Sequence, residues 1–122
     1  MPKTVLVVED DAALQEGAVA ILQALGFKAL SATSLKEVAR VFSENHPSPG
    51  IDGIIWDGNL HDGDSFAGDE PGTIRWVIAQ GFAGPMVACS IEHKDEQIKA
   101  GCQHRSRKSD APDLLASLLG VT

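Results

Sequence analysis

The residues best placed to do chemistry are Glu9, Asp10 and Asp11 after the apolar run 5–8, Asp57 after Ile54-Ile55-Trp56, Ser90 at the end of the run 85–90, and Lys108 at the end of a polar stretch that starts at His104. Carboxylates held close together repel one another unless a cation neutralises them. An all-oxygen donor set with room for water suits magnesium, which takes few carboxylates and keeps several waters. A carboxylate beside such an ion can act as a nucleophile toward phosphorus and form an acyl phosphate. The ion and Lys108 would offset charge on the transferred oxygens while the Ser90 hydroxyl donates a hydrogen bond to one of them. Phosphoryl transfer asks a protein for little beyond such positioning and charge stabilisation. Taken singly, each residue has a plainer use: Asp10 or Asp11 can cap the helix that follows, Ser90 can cap another, and Lys108 can be a surface lysine.

Positioning this set requires a frame, and the apolar pattern supplies one. Residues 5–8 (Val-Leu-Val-Val) form a continuous β-branched run, as in a strand buried on both faces. Residues 11–25 carry Leu14, Ala18, Ile21, Leu22 and Leu25 at helical spacing, and Gly26 closes that helix. Residues 27–31 make a second strand. Ser34 and Glu37 form a capping-box pair ahead of Leu35, Val38, Val41 and Phe42. Residues 46–50 are a loop, 54–57 a third strand and 58–72 a long polar loop. A short helix over 73–80 turns Ile74, Val77 and Ile78 inward, a fourth strand spans 85–90, and a helix spans 92–100. A polar fifth strand falls at 104–108. Asp110 caps a final helix with Pro112 near its start and Leu114, Leu115, Leu118 and Leu119 behind. Strands alternating with helices in this way predict a parallel sheet covered on both faces, with right-handed crossovers. Ligands bind such sheets outside the carboxyl ends of the strands, where the candidate residues fall.

Bulk properties narrow the function. The 122 residues make one domain, large enough to bury a core without disulfides. The net charge of −7, from 17 acidic and 10 basic residues, argues against a nucleic-acid binder. The basic stretch 104–108 is too short to change that and reads as a solvated edge or loop. Neither a leader peptide nor a membrane span is visible, and Cys89 and Cys102 are too few for a disulfide scaffold, so a cytoplasmic location is expected. The initial methionine and the fit to one domain suggest a whole, stand-alone protein. His46, His61, His93 and His104 show no metal-ligand spacing with the cysteines. There is no phosphate-binding Gly-x-x-x-x-Gly-Lys sequence and no dinucleotide glycine pattern. Trp56 and Cys89 read as core.

The run Val5-Leu6-Val7-Val8-Glu9-Asp10-Asp11, Asp57 after its apolar strand, the strand ending in Ser90, and Ala100-Gly101 followed by Lys108 together resemble the receiver domain of two-component response regulators over the whole chain, 1–122. The resemblance implies a flavodoxin-like (βα)5 fold with a five-stranded parallel sheet in the order 2-1-3-4-5. It implies Asp57 as phosphoacceptor, Asp10 as direct ligand of magnesium (or manganese), Glu9 as the second acid acting largely through water, and the Asn59 backbone carbonyl as a further ligand. Ser90 and Lys108 take the switch-hydroxyl and lysine positions. The implied donor is a histidine kinase or histidine phosphotransfer protein, and the output is contact with a downstream protein by a monomer or a phosphorylation-linked dimer. Asn59 and Glu92, two residues beyond Asp57 and Ser90, resemble the pair of a chemotaxis receiver, which implies a short-lived phosphate.

Departures lie on the output side. Ser109 replaces the proline that follows the lysine, which favours a trans bond there. Arg105 replaces the aromatic switch residue, so the usual coupling of hydroxyl to aromatic cannot operate in its usual form. His61 replaces a common proline, residues 62–71 are long and polar, and Ile91 is bulkier than usual. Two other readings stay open: a receiver-like scaffold whose contacts ignore phosphate, and a small magnesium-dependent phosphatase of the haloacid-dehalogenase type. The second lacks that family's Asp-x-Asp first strand and room for a cap domain.

Overall fold

A run of β-branched and apolar residues buried on both sides makes the interior strand β1 (Thr4–Val8). In the computed structural model, residues 2–48, 50–56, 70–90 and 94–120 are described. After β1 come α1 (Ala12–Ala24), β2 (Lys28–Ala32), α2 (Leu35–Asn45), β3 (Gly53–Trp56), α3 (Glu70–Ala79), β4 (Met86–Ala88), α4 (Lys94–Ala100), β5 (His104–Arg105) and α5 (Ala111–Leu118). All neighbouring strands are parallel, and the order is β2-β1-β3-β4-β5, as the resemblance implied.

Alternation along the strands divides the core into two layers. Leu6, Val8, Ile54, Trp56, Met86 and Ala88 face α2 and α3, meeting Leu35, Val38, Phe42, Ile74 and Val77. Val5, Val7, Ile55, Val87 and Cys89 face the other way, onto Leu22 of α1 and Leu115 and Ala116 of α5. Trp56 is wholly buried, with its indole N–H 3.3 Å from the Met86 sulfur. Ser34 accepts a bond from the Glu37 N–H, and Glu37 Oε1 accepts from the Thr33 N–H and hydroxyl, so the capping pair forms one residue wider than expected. Gly26 takes φ +96° just past α1, where a side chain would be strained.

Several expectations are corrected. Leu14 and Ile21 of α1 are 48% and 44% exposed, and Ile78 and Leu118 are also exposed. On α1 Leu22, with Ala18 and Leu25, packs inward as expected; beside it Gln15 is buried too, its amide donating to the carbonyls of Val7 and Ala32 and so tying the helix to two strand ends. Helix α3 is already formed at Glu70, before Thr73, and β5 is two residues long because its polar edge sequence gives little to bury. Asp110 precedes α5 without a side-chain capping bond, its backbone being helical rather than extended. His46 is more than a loop residue: it stacks on Phe42 and its Nε2 bonds the Gln80 carbonyl, joining the ends of α2 and α3.

Both cysteines are buried. Burial, with the Glu70 carboxylate adding to it, pushes the Cys102 thiol up to about 12. At pH 8 this thiol is protonated, and its reaction with a disulfide reagent is expected to run on the order of 100-fold slower than that of a free cysteine until urea unfolds the chain. Rapid labelling of Cys102 in the native protein, located by peptide mass, would show that this region opens more readily than its packing indicates.

Candidate functional site

Parallel register brings the strand ends into one row: Val8 is level with Trp56, Trp56 with Ala88, and Ala88 with Arg105. The residues just beyond those ends therefore share one edge of the sheet. There the chain carries Glu9 after β1, Ser90 two residues after β4, and Lys108 three after β5. Asp57 is the residue after Trp56. Asp57, Asn59, His61, Ile91 and Glu92 lie outside the described residues, as does the stretch 62–69.

Glu9 is fully buried at this edge. Its Oε1 accepts a hydrogen bond from Lys108 Nζ at 3.2 Å, across 99 residues of sequence. Its Oε2 has no hydrogen-bond partner among the described residues. Burial raises the Glu9 carboxyl above its ordinary range; the bond and charge of Lys108 oppose this, while Asp10 and Asp11 add to the rise. A buried carboxylate oxygen without a partner is costly, and it fits a place where a cation or its bound water supplies the missing contact. Asp10, next in the chain, is exposed and accessible to such an ion. Among the described residues no trio of His, Cys, Asp or Glu converges, so Glu9 and Asp10 are what they offer a metal.

Asp11 accepts from the Leu14 N–H at 3.0 Å and is the N-cap of α1, the plainer of its two uses. Ser90 is buried, and its N–H donates to Gln97 Oε1 of α4 at 3.3 Å; whether it also caps that helix falls on residues 91–93, outside the described ones. The Lys108–Ser109 bond is trans, as expected. Arg105 is exposed and donates to Asp95 of α4 at 3.1 Å, an ion pair in solvent rather than an inward switch. Sequence reasoning missed Gln97 and Glu70, both buried. The available signal was that Gln97 shares a helix face with Ala100, the other buried residue of α4.

No protein-family model matches the sequence, and no curated protein matches it. Solved structures do. A CheY-like response regulator receiver domain from Methylobacillus flagellatus superposes with a TM-score of 0.75 at 23% identity, covering 100% of both chains. The fold is that of a response regulator receiver domain. A receiver domain protein from Clostridium thermocellum also gives a TM-score of 0.75, at 19% identity over 97% of this chain and 94% of that one. The Vibrio cholerae chemotaxis protein CheY4 gives 0.69 at 21% identity over the whole of both chains. The receiver fold puts the carboxyl ends of β1, β3 and β4 together, which is the edge where Glu9 and Ser90 stand here.

Proposed function

We propose that this chain accepts a phosphoryl group on Asp57 from a phosphohistidine of a histidine kinase or phosphotransfer protein, and signals by altered contact with a partner protein. The observation that supports this reading best is the buried Glu9 carboxylate, paired on one oxygen with Lys108 and lacking a partner among the described residues on the other. A stability-driven core has no use for such an oxygen, whereas a metal-assisted acceptor site does. Glu9, Asp10 and Asp57, with the Asn59 carbonyl, are the residues that would hold magnesium or manganese. The bound ion supplies positive charge against the oxygens of the transferred group.

In the transfer, an Asp57 carboxylate oxygen forms the new bond to phosphorus as the P–N bond to the donor imidazole breaks, and the electron pair leaves with the imidazole. The Lys108 ammonium offsets charge on the phosphoryl oxygens, and the Ser90 hydroxyl donates to one of them. Asn59 and Glu92 favour a short-lived acyl phosphate.

Acetyl phosphate tests the reading, with magnesium or with chelator, followed by intact mass. The expected result is a metal-dependent gain of one phosphoryl group that Asp57→Ala abolishes. A gain that survives chelation or the substitution would place the chemistry elsewhere. The exposed Arg105–Asp95 pair favours a second reading, a scaffold whose contacts ignore phosphate; no gain in a folded protein would select it.

A further inference from the structure

Gln97 is 1% exposed and makes three hydrogen bonds with one carboxamide. Its Nε2 donates to the Trp56 carbonyl at 3.2 Å and to Glu70 Oε1, and its Oε1 accepts from the Ser90 N–H at 3.3 Å. Trp56 is the residue before Asp57, and Ser90 is the candidate hydroxyl. Glu70, buried, is the first described residue of α3. One side chain thus joins the ends of two strands, α3 and α4 itself. Both amide hydrogens and one acceptor site are engaged, and no other side chain of this length offers two donors and an acceptor on one planar group. The Trp56 carbonyl also accepts the Cys89 N–H at 2.9 Å, so the Gln97 bond reinforces the ladder at this point.

In the described part of helix α4, Lys94–Ala100, the fully buried residues are Gln97 and Ala100. Ile98 packs partly against the core beside them, and the Gln97 carboxamide is what ties this helix to the strand ends by hydrogen bonds. Arg105 cannot serve as an inward aromatic switch. We propose that Gln97 is a positioning residue of the acceptor edge and the link through which a phosphoryl group on Asp57 displaces α4; this rests on the acceptor reading above. The phosphoryl group draws Ser90 toward Asp57. The Ser90 N–H bond yields, and the helix that carries Gln97 answers to it. The physical basis is a two-state element biased by a new charge.

The test uses the full chain, acetyl phosphate with magnesium, intact mass for phosphoryl gain, and hydrogen exchange of peptides covering α4. In the parent protein, exchange in α4 changes on phosphorylation. In Gln97→Met, similar in length but without the three bonds, phosphoryl gain is expected to be about fivefold to tenfold slower, the scale of one hydrogen bond lost from a transition state, and the α4 response disappears. Gln97→Glu turns a second carboxylate toward Glu70 and loses both donors, so it is expected to be worse. Adding Glu70→Gln to Gln97→Glu restores a donor between the two side chains and partly recovers the response, which also guards against a single variant that fails to fold. If Gln97 merely stabilised the fold, Gln97→Met would lower the unfolding midpoint and leave the phosphate-dependent exchange intact. An unchanged α4 response in Gln97→Met, or a paired exchange no better than Gln97→Glu alone, overturns the proposal. A parent protein that takes up no phosphoryl group at all brings down the acceptor reading and this proposal together, and that failure is visible before any variant is made.

Discussion

Lys108→Met is expected to weaken the fold little at pH 4 and by about 1–3 kcal/mol at pH 7, the range for a buried group stripped of its partner. The sign follows from Glu9. Burial already raises its carboxyl above the ordinary 4.5, and Lys108 is the group that opposes the rise. Without the ammonium the folded state holds the Glu9 proton more strongly still, while the unfolded chain releases it near its ordinary value. Above that value the unfolded state binds fewer protons than the folded one, so stability falls as pH rises toward the folded pKa. Urea midpoints of parent and variant across this range measure the effect. A deficit equal at all pH values would assign Lys108 to packing instead of charge. In the acetyl phosphate assay the same variant is expected to lose on the order of 100-fold in rate, the scale of removing one charge-stabilising donor.

Leu115→Ala is expected to cost about 3 kcal/mol, as for other fully buried leucines. Leu115 of α5 lies directly against β3 because Gly53 offers no side chain there: a Cβ on Gly53 would stand 3.0 Å from Leu115 Cδ1 and 3.1 Å from Cδ2. Gly53→Ala alone is therefore expected to cost about 1–2 kcal/mol through overpacking. Combined, the new methyl occupies part of the space that Leu115→Ala vacates, and the double variant should fall short of the sum by about 1 kcal/mol. Strict additivity in a urea double-mutant cycle would mean that the two side chains do not compete for one volume.

Much of this architecture is legible in the sequence because its strongest signals are local. Residues 5–8 and 54–56 are continuous apolar runs, and β1 and β3 are indeed buried along their lengths. The face of α2 is read correctly because its apolar stripe is narrow. The face of α1 is read in part: Leu22, Ala18 and Leu25 pack inward, but Leu14 and Ile21 keep helical spacing while standing exposed, and one buried position goes to a glutamine that satisfies strand carbonyls. Periodicity measures apolar spacing and is blind to a polar side chain buried for its hydrogen bonds. The same blindness hides Gln97 and Glu70. At the candidate site, the alternation of strand and helix is enough to gather Glu9, Ser90 and Lys108 at one edge, but the direct Lys108–Glu9 bond depends on where two distant loops meet. The acceptor role of Asp57 and the metal ligands remain proposals for the acetyl phosphate experiment.

The outer strand β5 has only two paired residues, Val87 facing His104 and Ala88 facing Arg105. Where the ladder stops short, the Gln103 side chain takes over, its Oε1 accepting the Met86 N–H at 2.9 Å. A side chain thus completes the pairing of β4 that a longer backbone strand would otherwise supply. The consequence concerns colloidal behaviour. Long, flat sheet edges recruit strands from neighbouring molecules and seed aggregates, whereas a two-residue edge bearing an exposed arginine presents too few free backbone groups to act as a template. On this side of the sheet, concentrated solutions of the protein are protected against intermolecular β-pairing.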